Sequence, residues 1–228
     1  MTDRMPNFFR FLFALAALPT CWGVTRAFVD ALLVAAESSK LVGAETISLV
    51  GGIVVFILIW VTAPHPVKTY VLGHELTHAL WGMLFLARPH DVRVTARGGS
   101  VKLSKTNVFI TLAPYFFPFY TFIVIVVALV VRLCMGTLPC LPIWMFFVGL
   151  TWAFHFLFTL ETLAQHQPDV KMYGRLFSWL FIYLANVLQL AVFLALTTAL
   201  TFSDLARLTV GRVVGVHRFL FDLVSSCL

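Results

Sequence analysis

Charge is scarce in this sequence. Only 11% of its 228 residues are Asp, Glu, Lys or Arg, against roughly a quarter in ordinary soluble proteins. So few charged side chains cannot cover a soluble globule of this length, and the same shortage excludes a disordered chain. Cysteine is scarce as well. The 4 cysteines are too few for a disulfide scaffold and lack the paired spacing of a zinc ribbon or finger. Cys134 and Cys140 share one short loop and are expected as free thiols. Glycine and proline number 13 and 10, too few for a collagen-like or low-complexity chain. Internal repeats are lacking, and no removable leader is expected, because no small-residue cleavage site follows the first apolar run.

What is present is apolar bulk. Hydrophobic residues make up 61% of the chain, with 23 phenylalanines, and mean hydropathy is +0.95. The composition predicts an all-α polytopic membrane protein forming a single integral membrane domain over 1–228. The net charge of +6 is spread between apolar runs, where basic residues mark membrane interfaces, so the expected partner is the lipid bilayer and not nucleic acid.

Six spans are expected: Phe8 to Ala36, Ile47 to Ala63, Lys68 to Arg88, Val108 to Arg132, Pro142 to Gln165, and Arg175 to Phe202. In the first, Arg26 and Asp30 lie four residues apart and are expected to pair on one helix face, which lowers the cost of either charge in lipid. Between the third and fourth spans, Val92, Val94, Val101 and Leu103 alternate around Gly98-Gly99, the signature of a β-hairpin turning at the glycines. The tail after Asp204 carries Arg207, Arg212 and Arg218 among Leu, Val and Phe. It reads as an amphipathic helix lying on the membrane surface.

The third span contains His74-Glu75-Leu76-Thr77-His78. On a helix, positions four apart are separated by about 40° and 6 Å, so both imidazoles face one way and can grip one ion. Glu75 stands beside them, placed to take a proton from water. Two metal ligands and a general base are the core of a zinc hydrolase. Chance placement yields roughly 0.01 such motifs in a chain of this composition. The motif also lies near mid-span, where an unpaired acid costs about 2.5–3.5 kcal/mol.

A catalytic zinc takes a third protein ligand and keeps one position open. His90, His155, Glu161, His166 and Asp169 are the candidates. Two spans separate Arg88 from Asp169, which brings the hairpin and the Gln167-Pro168-Asp169 segment to the same side. Regular helices would leave Asp169 roughly 10–15 Å short of the histidines, so the segment has to bend inward.

Gly73-His74-Glu75-x-x-His78-Ala79 within a membrane helix resembles the site-2 protease group of intramembrane metalloproteases. Arg97-Gly98-Gly99-Ser100-Val101 matches the position of that group's hairpin. Gln167-Pro168-Asp169 resembles its Asp motif, and Ala113-Pro114 falls where many members have Gly-Pro. Gln167, Val170 and the Ala-Pro step depart from the usual residues and mark a divergent branch. The resemblance covers roughly Tyr70 to Gly174. It implies a catalytic core over 68–175 that cleaves transmembrane protein substrates near the cytoplasmic side. In that core Zn²⁺ would sit on His74, His78 and Asp169, Glu75 would be the base, and Gly98, Gly99 and Ser100 would hold the substrate strand. The basic hairpin would then face the cytoplasm and both termini the opposite side. Two other expectations stand beside it: a metalloprotease of another class acting on lipid-anchored C-termini, which would take His155 or Glu161 as ligand, and a non-catalytic zinc-binding scaffold or chaperone.

Overall fold

The computed structural model describes residues 7–37, 43–95, 98–165 and 167–226. It is mostly helical, with one small two-stranded antiparallel sheet. Four helices are long and apolar enough to cross a membrane: α1 (Asn7–Glu37), α2 (Ala44–Thr62), α6 (Leu141–Ala164) and α8 (Arg175–Thr197). Large apolar side chains point outward, such as Val61 at 76% and Leu133 at 74% exposure, as lipid-facing surfaces do. The chain's described residues form two compact units, one within 44–172 and one over 7–37, 43 and 173–226.

In the first unit α2 and α6 pack through glycine. A Cβ on Gly52 would lie 2.0 Å from the Phe146 carbonyl oxygen, and one on Gly149 would lie 2.0 Å from that of Leu49. Only glycine permits this approach, the usual means by which membrane helices gain contact when lipid offers no hydrophobic drive. An aromatic cluster of Phe56, Tyr70, Phe154 and Phe158 extends the interface to α3 (Val67–Leu84). That motif helix runs over 18 residues and ends at Leu84, one turn short of the expected Arg88. Its histidines, Glu75 and Lys68 keep it below the apolarity of the four helices above.

After α3 comes the hairpin of β1 (Pro89–Thr95) and β2 (Gly98–Leu103). The expected Gly-Gly turn is not found: Gly98 and Gly99 lie inside β2, paired with Thr95 and Val94, and residues 96–97 between the strands lie outside the described residues. Gly98 has φ +144° and tolerates that strand start because it lacks a Cβ. A bulge between His90 and Arg93 puts Asp91 at φ 48°, where Arg93 and Lys102 pair with it.

The expected fourth span is broken into α4 (Val108–Phe116) and α5 (Phe119–Met135), bent by 80°. Pro118 is the cause: it bars Phe117 from helical backbone, and Phe117 is extended at φ −102°, ψ 105°. Asn107 caps α4, its Oδ1 accepting from the Ile110 amide at 2.9 Å. Ile110, Leu112, Ala113 and Tyr115 are almost wholly buried, so α4 is a short internal helix. Beyond α6, α7 (Pro168–Met172) turns back towards α4, where the Thr111 hydroxyl meets the Met172 sulfur at 3.9 Å. Cys134 and Cys140 are free.

The second unit holds α1, α8 and α9 (Phe202–Ser226). The sequence predicts Asp30 paired with Arg26 on one face of α1; the structure pairs it elsewhere. The partner of Asp30 is Arg212 of α9, and His217 reaches Thr20. A Cβ on Gly23 would sit 2.8 Å from the Val213 Cα. Ala31 and Ala35 meet Leu205 and Leu208 in one apolar cluster with Leu194 and Leu200 of this unit. These contacts run in opposite order along the two helices, so α9 lies antiparallel against the second half of α1.

Candidate metal centre

Three side chains from two distant parts of the sequence converge in the first unit. His74 and His78 project from one face of α3, as four-residue spacing dictates. Asp169 arrives from the first turn of α7, because the chain after α6 folds back instead of running on. The Asp169 Oδ2 lies 3.7 Å from the His74 Nε2 and 3.4 Å from the His78 Nε2. Hydrogen bonds of charged groups would be shorter, about 2.7–2.9 Å. Ligands held 2.0–2.2 Å from a tetrahedral ion stand about 3.3–3.6 Å apart, close to what is found. Among the described residues, His74, His78 and Asp169 form a group able to hold a metal ion, and two imidazoles with a carboxylate suit a first-row transition metal.

The surroundings fit that use. His78 donates its Nδ1–H to the Ile110 carbonyl at 2.9 Å, which fixes the tautomer with the Nε2 lone pair facing the ligand group. That carbonyl is available because of Pro114. The amide four residues on would normally claim it in a helix, but proline has none. The Tyr115 hydroxyl donates to the Asp169 Oδ2 at 3.2 Å. One nine-residue helix, α4, therefore steadies two of the three candidate ligands from opposite ends.

Glu75 is buried beside these three side chains at 6% exposure, and its carboxylate borders a groove of about 730 Å³. Residues Gly98 to Val101 and Leu103 line one wall, so β2 borders this groove. Gly99 lies directly over the acid: a Cβ there would fall 2.5 Å from the Glu75 Cγ and 2.8 Å from the Val71 Cγ1. At the other end, Tyr70 and Phe158 stack 4.7 Å apart beside Glu161 and Gln165. Gly98, Gly99 and Ser100, expected to hold a substrate, thus share one groove with Glu75, His74, His78 and Asp169.

The remaining ligand candidates stand apart from the group. His90 is exposed in β1 opposite Lys102. Glu161 lies 3.8 Å from the Nδ1 of His65, a ring stacked on Trp60 at 3.7 Å. His155 is buried on α6 and borders a small cavity with His74 without joining the group, and His166 lies outside the described residues. Sequence reasoning missed Ile110 and Tyr115. The available signal was Pro114, which frees a carbonyl four residues back. No protein-family model matches the chain, and neither does a curated protein or a solved structure.

Proposed function

We propose that the protein is a zinc-dependent intramembrane endopeptidase, similar in its site to the site-2 protease group. The observation that carries this reading is the approach of Asp169 to His74 and His78 at the separations of tetrahedral ligands, with Glu75 beside them on an open groove. In that reading His74, His78 and Asp169 hold the ion. Zinc in such a site supplies a Lewis acid that polarises a peptide carbonyl and makes water more acidic. Glu75 then accepts the proton of the attacking water and hands it to the departing amine. A substrate helix hides its peptide bonds and has to be drawn out first. The border formed by Gly98, Gly99 and Ser100 offers main-chain pairing that holds the segment extended across the groove.

Asp169, rather than His155 or Glu161, joins the histidines, which favours this reading over a protease for lipid-anchored C-termini. A scaffold would have no use for Glu75 on the groove. The motif helix and the bent pair α4 and α5 complete six crossings in this proposal, with the basic hairpin on the cytoplasmic side.

The test is zinc content together with cleavage of a co-expressed single-span reporter. The wild type is expected to carry zinc and cleave, and Asp169→Ala to lose the metal. Glu75→Gln keeps zinc and loses about 10²–10⁴-fold in cleavage rate. A wild type free of zinc, or a Glu75→Gln variant that cleaves normally, would refute the proposal.

A further inference from the structure

We infer that His155 is a positioning residue for the ligand His74, acting through one water held between the two rings. The inference rests on the metal centre proposed above. A metal-ligating histidine donates its second ring N–H to an acceptor, which fixes its tautomer and orientation. For His78 that acceptor is the Ile110 carbonyl. His74 turns its Nε2 to Asp169, while its Nδ1 is buried with no partner among the described residues.

His155 supplies the complement. It projects from α6, at 6% exposure, and its ring is hydrogen-bonded to the main chain of Tyr115. A carbonyl only accepts, so the ring N–H is spent there and the other nitrogen keeps its lone pair. That nitrogen, Nε2, is buried and has no partner among the described residues. His74 and His155 line the same small cavity, of about 10 Å³, with Gly73, Thr77, Pro114 and Tyr120 among its other walls. The volume matches one water. The water accepts from the His74 Nδ1–H and donates to the His155 Nε2. Its second hydrogen has an acceptor in the Thr77 hydroxyl, which donates its own proton to the Gly73 carbonyl at 2.7 Å. All three ligands are then oriented by α4: His78 through Ile110, Asp169 through the Tyr115 hydroxyl, and His74 through the Tyr115 main chain, His155 and the water.

The experiment measures zinc affinity of the purified full-length protein by competition with a chelator, together with thermal melting of the metal-free forms. His155→Phe and His155→Leu fill the space but remove the acceptor, and zinc affinity is expected to fall about 10–100-fold. His155→Gln keeps an acceptor and is expected to stay within about threefold of wild type. Melting identifies which variants are folded; either apolar variant suffices if the other fails to fold. Wild-type affinity in a folded apolar variant overturns the inference. So does an equal loss in His155→Gln, which would make the ring a packing element only. A wild type that takes up no zinc instead refutes the metal centre itself, and this inference with it.

Discussion

Replacing Pro114 by Ala tests whether a missing amide organises the metal centre. The proline sits four residues after Ile110 within α4, so alanine would place a new N–H against the carbonyl that His78 uses. A carbonyl has two lone pairs and can serve both donors, but the helical one holds it along the axis and weakens the imidazole contact. Loss of such a contact lowers metal affinity 10–100-fold. Because the contact is shared and not abolished, we expect the lower end, about tenfold or about 1.4 kcal/mol. Stability should move the other way or not at all. Alanine is favoured over proline in a helix interior by about 3 kcal/mol, and the two ring carbons lost from this buried site cost about 1.6 kcal/mol at about 0.8 per methylene. The signature is therefore a metal-free protein that melts no lower than wild type yet holds zinc about tenfold more weakly. Zinc affinity by chelator competition and melting of the metal-free protein read the two quantities separately. Unchanged zinc affinity in a folded Pro114→Ala variant would refute the reasoning.

The side chains of the candidate centre were legible where the pattern is local. Histidines four apart with a glutamate between them can be recognised from helical pitch alone, and Pro168 signals the break that lets Asp169 leave the path of α6. The hairpin was legible in kind from its alternating valines. Its turn was misplaced, because Gly-Gly is a common turn pair and the need for glycine at 99 comes from α3, 24 residues earlier. What could not be read is whatever depends on a distant partner. Arg26 and Arg212 are equally good partners for Asp30 by charge; the choice of Arg212 follows from how α9 lies on α1. Pro118 was visible as a proline near the start of a span, yet an apolar run reads the same whether it crosses lipid straight or bends by 80°. Gly52 and Gly149 look like tolerated glycines in two hydrophobic stretches until α2 and α6 are brought together.

Two further outcomes follow from these contacts. Asp30→Leu or Arg212→Leu alone leaves one charge of the pair unmatched and lowers the melting temperature, whereas the double replacement recovers most of the loss; additive losses would show that the pair contributes nothing. Gly99→Ala is expected to impair cleavage while zinc stays bound. Its Cβ would fall 2.5 Å from the Glu75 Cγ, 2.7 Å from the Oε1 and 2.8 Å from Val71, where carbons in contact stand about 3.5–4.0 Å apart. Glu75 is the neighbour able to yield, and a shift of about 1 Å in a reacting group costs on the order of 10²-fold in rate. The three atoms nearest the new methyl group belong to Glu75 and Val71 and not to His74, His78 or Asp169, so metal content should hold. Zinc analysis and reporter cleavage on the same preparation separate the two effects. Wild-type cleavage by Gly99→Ala would mean that β2 yields instead of Glu75, and that the hairpin does not set the position of the base.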